Sequence, residues 1–273
     1  MRSIAIMNQK GGVGKTTTAV NLAAAIADSG RDVCLIDLDP QGHASLHLGL
    51  ALPDDDPSVY EVLTGKLTID DVRRQVADHL WIVPSHLDLA ASEMELAGAV
   101  GREVILRDKL DEDSKEFDYL ILDCPPSLGV LTLNALTTVG EVLLPLQPHF
   151  LALHGLSKLL QTIEVVQSRL NEALRLRGVV LCMYESGTRL AAEVSGDVQQ
   201  FFTHQAQANN IWRSSRIFQT RIRRNIRLAE APSFGQSIFQ YAPQSNGAED
   251  YRRLAEELMA APSASRTISV RAA

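Results

Sequence analysis

The sequence predicts an α/β fold: a doubly wound, mainly parallel sheet with flanking helices. Three observations predict it. Short runs rich in β-branched and aliphatic residues alternate with helical patterns. Several of those runs are apolar almost throughout, as strands covered on both faces are. Hydrophobic residues make up 45% and charged residues 22% of the 273 positions, inside the ordinary globular range.

The elements follow in chain order. Strands are expected at residues 3–7, 33–37, 80–83, 119–123, 142–146 and 179–184, where apolar side chains are consecutive. Helices are expected at 16–29, 59–63, 69–76, 90–96, 102–113, 131–138, 153–174, 190–204 and 248–259, where apolar positions recur at helical spacing. Residues 53–57, Pro-Asp-Asp-Asp-Pro, form a polar turn-rich loop. No internal repeat or long linker interrupts the series, so residues 1–260 are expected to form one domain. Residues 261–273 lack a usable apolar face and are expected to be a loose tail.

Composition narrows the function classes. Twenty-six bases against 33 acids give a net charge of −7, so contact with nucleic acid has to rest on a local basic patch. No apolar run reaches the roughly eighteen residues of a membrane span, and the first residues enter an apolar strand at once. Stable membrane insertion and secretion are therefore not expected. Cys34, Cys124 and Cys182 are odd in number and scattered, which fits buried thiols of a reduced cytoplasm rather than a disulfide framework.

Between the first strand and an alanine-rich helix lies Gln9-Lys10-Gly11-Gly12-Val13-Gly14-Lys15-Thr16-Thr17. Glycines let backbone amides curl around a phosphate, and the helix N-terminus adds its positive end. Lys15 supplies a mobile cation and Thr16 a hydroxyl for Mg²⁺. The ordinary phosphate-loop pattern has glycine six residues before this lysine. Here Gln9 stands at that position and an additional lysine, Lys10, follows it.

Two strands end on acids, in Leu35-Ile36-Asp37-Leu38-Asp39-Pro40-Gln41-Gly42 and in Leu120-Ile121-Leu122-Asp123-Cys124-Pro125-Pro126-Ser127. Carboxyl ends of parallel strands are where open sheets gather their ligands. Asp123 fits a carboxylate that holds Mg²⁺, directly or through water. Asp39 fits the residue that orients an attacking water beside the metal, and Asp37 a further acid near it. Each acid taken alone also fits a strand-end turn cap.

From residue 198 to 229 there is no acid, while Arg213, Arg216, Arg221, Arg223, Arg224 and Arg227 fall within fifteen residues. Arginines on one surface neutralise DNA phosphates without reading bases. Arg213, Arg216, Arg221, Arg223 and Arg224, with Arg252 on the last helix, are candidate DNA contacts. The alternative is that they pair with acids elsewhere or touch nucleotide. His43, His47, His149 and His154 lack the companion acids or cysteines of a metal or catalytic site and are expected to pack or face solvent.

The extra Lys10, the segments Asp37-Leu38-Asp39-Pro40-Gln41-Gly42 and Asp123-Cys124-Pro125-Pro126-Ser127-Leu128-Gly129, and further stretches at 131–136, 153–157 and 227–235 resemble the deviant Walker A ATPases of the ParA and MinD type, ParA and Soj most closely. The resemblance runs from about residue 3 to 259. It implies a P-loop NTPase fold and Mg²⁺-dependent hydrolysis of ATP to ADP and phosphate. Lys10, Lys15 and Asp39 would then be catalytic, with Lys10 reaching across an ATP-sandwich homodimer to the partner's phosphates. Residues 10–17 would bind the nucleotide, Thr16, Asp39 and Asp123 the metal, and Met183 together with the segment 223–231, Arg224 in particular, the adenine side. Family members usually carry proline where Arg223 stands, and the neutral stretch at 242–247 is commonly basic in them, so these two points depart from the pattern. The resemblance further implies non-specific DNA binding, a ParB-like activator and a cytoplasmic, nucleoid-associated protein that moves chromosome, plasmid or other cargo. The ParA proteins it resembles lack the N-terminal helix-turn-helix extension of some plasmid relatives, so operator recognition is not expected. A MinD-like switch without DNA binding is the alternative, and a metabolic enzyme on the same scaffold a third.

Overall fold

The structure, a computed structural model, describes residues 1–53, 56–149, 156–187, 189–208 and 215–261. Among these residues the strands are β1 (Arg2–Ile6), β2 (Val33–Asp37), β3 (Arg74–Ala77), β4 (Leu80–Val83), β5 (Tyr119–Asp123), β6 (Glu141–Leu146), β7 (Arg175–Tyr184) and β8 (Arg216–Arg223). They form one sheet in the order β3-β4-β2-β5-β1-β6-β7-β8. Every pairing is parallel except β3 with β4.

The helices are α1 (Lys15–Asp28), α2 (His43–His47), α3 (Val59–Leu63), α4 (Ile69–Val72), α5 (Leu89–Glu95), α6 (Ile105–Asp111), α7 (Val130–Thr138), α8 (Leu156–Arg169), α9 (Arg189–Ala208), α10 (Ile226–Glu230), α11 (Ile238–Tyr241) and α12 (Asn246–Met259). Alternation along the central strands splits the core into two layers. Ile4, Ile6, Leu35 and Ile121 face a layer built with α1 and α12. Ala5, Met7, Ile36 and Leu122 face the opposite layer, which includes residues of α3, α6, α7 and α8. Each isoleucine, leucine or methionine so buried contributes about 1.5–3 kcal/mol. This accounts for the almost wholly apolar central strands.

The expected doubly wound sheet is present, with two differences. The helix expected over 69–76 stops at Val72, and β3 follows it. Thr68 and Asp71 form a capping box that starts α4, but Arg73 leaves the helical region at ψ 137°. Val76 fits a helical spacing from Ile69 and Val72, and it is held in an edge strand instead. The second difference is β8, an edge strand that runs through the arginine-rich segment. The expected tail from 262 onward, the start of the helix expected at 153, and His154 lie outside the described residues.

β7 and β8 meet closely at Gly178, whose φ is 149°. A Cβ there would lie 2.1 Å from the Arg216 carbonyl oxygen. Between Leu181 and its neighbours the register shifts, and the Glu257 carboxylate on α12 accepts the β8 amides of Gln219 at 3.0 Å and Thr220 at 2.9 Å. The edge is thereby fastened to α12.

Candidate nucleotide site

The glycine loop leaves β1 at the middle of the sheet. Asn8 anchors its first turn: Nδ2 donates to the Pro145 carbonyl at 2.7 Å and Oδ1 accepts the Lys10 amide at 3.0 Å. Gly14 sits at the N-cap of α1 with φ 90°, a left-handed conformation that glycine adopts without strain. No side chain caps this helix and no acid lies in its first turn. Its N-terminal amides are therefore oriented for an anion.

Lys15 is the first residue of α1 and only 8% exposed. Its Nζ donates to the Lys10 carbonyl at 3.3 Å. Burial lowers its pKa, opposed by the nearby Asp123 and Asp39 carboxylates. Lys10 itself faces outward, and its Nζ meets the His149 ring. Thr16 and Thr17 follow, half-buried.

The parallel register places Asp37 at the end of β2 directly beside Asp123 at the end of β5. Both are fully buried. Asp37 is well satisfied: it accepts the Ser45 amide at 3.0 Å, the Ser45 hydroxyl at 2.9 Å and the Asp39 amide at 3.2 Å. Burial nonetheless pushes its pKa up to about 6. Asp123 differs, because neither of its oxygens has a hydrogen-bond partner in the protein. Burial and then the neighbouring Asp37 raise it well above the carboxylate range, while Thr16 and Lys15 pull the other way. A buried acid with no donor needs a cation or a proton. The donor set of Asp123 and the Thr16 hydroxyl is the hard oxygen type that suits Mg²⁺. Asp39, at the rim, holds the turn that follows β2 by accepting the Gln41 amide at 3.0 Å through Oδ1 and the Gly42 amide at 2.9 Å through its carbonyl.

Beside the loop is a cavity of about 330 Å³. Gly14 and Thr17 form its inner edge; Cys182 and Met183 of β7, Ile222 and Arg223 of β8, residues of α10 and Tyr251 of α12 form its walls. Met183 has φ 51°, unusual for a side-chain-bearing residue, and ties the bend of β7 to the pocket. Arg224 also lines the pocket, with Nε 2.8 Å from Glu185. A second cavity, of about 720 Å³, lies at the other end of α1, between the β3–β4 turn and residues 234–240. It contains no residue of the glycine loop.

The described candidate arginines are engaged with acids or aromatic rings. Arg223 pairs with Asp250 at 2.6 Å and Glu249 at 2.7 Å, Arg224 with Glu185, and Arg216 with Glu257 at 3.7 Å while lying over the Phe218 ring. Arg221 lies on the Tyr184 ring at 4.4 Å and Arg252 on Phe239 at 5.4 Å. Arg213 lies outside the described residues. Of the acids these arginines meet, Glu185 precedes the acid-free stretch and the rest are on α12, so composition over 198–229 does not reveal the pairing.

Asn8, Ser45, Asp250 and Tyr251 were not among the sequence candidates, and no local motif marks them. Each matters through a partner distant in the chain. Among the described residues no group of three or more His, Cys, Asp or Glu side chains forms a metal cluster, and His47, the last residue of α2, is buried as a packing residue. The three cysteines are free and buried.

An AAA domain family model matches residues 1–176. The chain is 43% identical over 258 residues to the sporulation initiation inhibitor protein Soj of Bacillus subtilis, covering 94% of this chain and 98% of that protein. It is 45% identical over 260 residues to the chromosome-partitioning ATPase Soj of Thermus thermophilus, covering 95% and 96%. Among solved structures it is similar to a cobyrinic acid a,c-diamide synthase of Mycobacterium smegmatis with bound ATP analogue and magnesium, at 36% identity and a TM-score of 0.79, over 95% of this chain and 94% of that one.

Proposed function

The chain belongs to the AAA domain family and within it to the partitioning ATPases of the ParA and MinD type, and from that premise we propose that it works as an ATP-gated switch that closes as a homodimer, binds DNA without sequence preference and reopens on hydrolysis. It is an ATPase that uses ATP with Mg²⁺. The observation that carries the site assignment is the buried, unpartnered Asp123 carboxylate at the mouth of the glycine loop, with Lys15 and Thr16 acting on it.

In this proposal the loop amides and Lys15 hold the phosphates, and Thr16, Asp123 and Asp39 surround the metal. Bound Mg²⁺ supplies charge neutralisation at the phosphate oxygens. Asp39 holds the attacking water in line and accepts its proton. Lys10 lies outward on the loop, a placement that supports its reaching a nucleotide held by a second subunit. The cavity beside Gly14 takes the base, with Met183 and Arg224 on its walls.

ATP favours the closed pair, and a ParB-like activator on the cargo accelerates its loss, so cargo is moved or spaced along a nucleoid. Closure doubles every basic group on the surface, which couples dimerisation to DNA. Of the candidate arginines, Arg221 and Arg252 rest on rings rather than on acids and are the favoured phosphate contacts. The test is retardation of random duplex by the Asp39→Ala protein with ATP, at rising salt. A salt-sensitive shift that weakens on Arg221→Ala with Arg252→Ala supports the proposal, and no ATP-dependent shift refutes it.

A further inference from the structure

The outer wall of the base cavity is anchored from behind. Arg223 ends β8, and its backbone amide donates to Asp250 Oδ2 at 2.9 Å. Its Nε donates to both Asp250 oxygens at 3.0 Å, and its Nη2 to Asp250 Oδ1 at 2.6 Å and Glu249 Oε2 at 2.7 Å. Asp250 is 3% exposed, so it has little water to turn to. The next residue, Tyr251, lines the same cavity, and its hydroxyl lies 3.1 Å from Thr18 Oγ1, three residues beyond Lys15 on α1. Two successive residues of α12 thus tie the base wall to the helix that carries the phosphate lysine.

We infer that Arg223 is a positioning residue for the nucleotide base rather than a DNA contact: its ion pair with Asp250 fixes the end of β8 and the start of α10 relative to the glycine loop. This rests on the assignment of the cavity to the base of ATP. A planar guanidinium gripping one carboxylate through two nitrogens sets direction as well as distance, which the single ammonium of lysine does not. With Glu249 and Asp250 both on it, the Arg223 charge is neutralised where a DNA phosphate would need it. The wall it holds includes its own side chain, Arg224 and Asn225. If that wall drifts, the base and the triphosphate no longer fit together, while the triphosphate alone still fits the loop.

The experiment is calorimetric titration with Mg·ATP and with Mg·tripolyphosphate of the parent chain, Arg223→Lys, and the double variant Arg223→Met with Asp250→Leu. The double variant leaves no buried charge unpaired and so keeps the fold accessible to the test. The parent should bind ATP more tightly than tripolyphosphate. Both variants should lose about tenfold in ATP affinity with tripolyphosphate affinity unchanged. Variants that keep the parent's ratio of the two affinities, whether both fall or neither moves, overturn the role of Arg223 and leave the base cavity standing. A parent chain that binds both ligands equally removes the base cavity and this inference with it.

Discussion

The Ser45 hydroxyl donates to Asp37 Oδ2 at 2.9 Å while accepting the Ser85 amide at 3.1 Å. One oxygen therefore joins the end of β2, the helix α2 after the Asp39 turn, and the loop after β4. Ser45→Ala removes a donor from a fully buried carboxylate and an acceptor from a buried amide. The expected cost is about 1–3 kcal/mol in urea unfolding. ATP turnover should also fall, because the Asp39 turn loses its support from α2.

Asp37 gives the apo protein a pH dependence whose sign is fixed. Its pKa is near 6 folded against an ordinary 3.8, so the native state holds the proton more tightly. The stability it contributes is present below about pH 4 and is lost as pH rises through 6, on the order of 2–3 kcal/mol. Asp37→Asn should therefore raise the melting temperature of the nucleotide-free protein at pH 8 and leave it nearly unchanged at pH 4. Equal shifts at both pH values would contradict this.

His47 acts in the opposite sense. Burial lowers it from 6.5 to about 4, and no hydrogen bond is available to its Nε2. Its contribution is lost as pH falls from 6.5 toward 4, amounting to about 2 kcal/mol at pH 5. His47→Met should gain stability relative to the parent between pH 7 and pH 5, read by denaturation at each pH.

At the other end of the sheet, Arg2 donates to Glu141 at 2.8 Å and to the Leu258 carbonyl at 2.7 Å, and Arg177 lies 3.8 Å from the same carboxylate. All three side chains are buried. Glu141→Ala leaves two buried cations without their shared anion, and an expected loss of about 3–5 kcal/mol follows. Differential scanning calorimetry measures it. A variant as stable as the parent would show the cluster to be solvated.

The central sheet was legible because β2, β5 and β6 are buried on both faces and so carry unbroken apolar runs. The phosphate loop was legible because its chemistry is local: glycines, lysine and threonine must be adjacent. β8 was not, since Phe218 and Ile222 sit among three arginines and their burial depends on α12. The pairing of the arginines was not legible either, for the same reason. Charge density along the chain is visible in sequence, but Arg223 meets Asp250 only after β8 and α12 have packed. β3 was hidden behind a helical spacing that the turn at Arg73 breaks.

Sedimentation velocity with Mg·ATP tests most directly whether Lys10 bridges two subunits. Asp39→Ala, which keeps the glycine loop and Lys15, should sediment as a dimer with ATP and as a monomer with ADP. Adding Lys10→Ala to it should leave a monomer in both. A double variant that still dimerises on ATP, or an Asp39→Ala protein that never does, would contradict it.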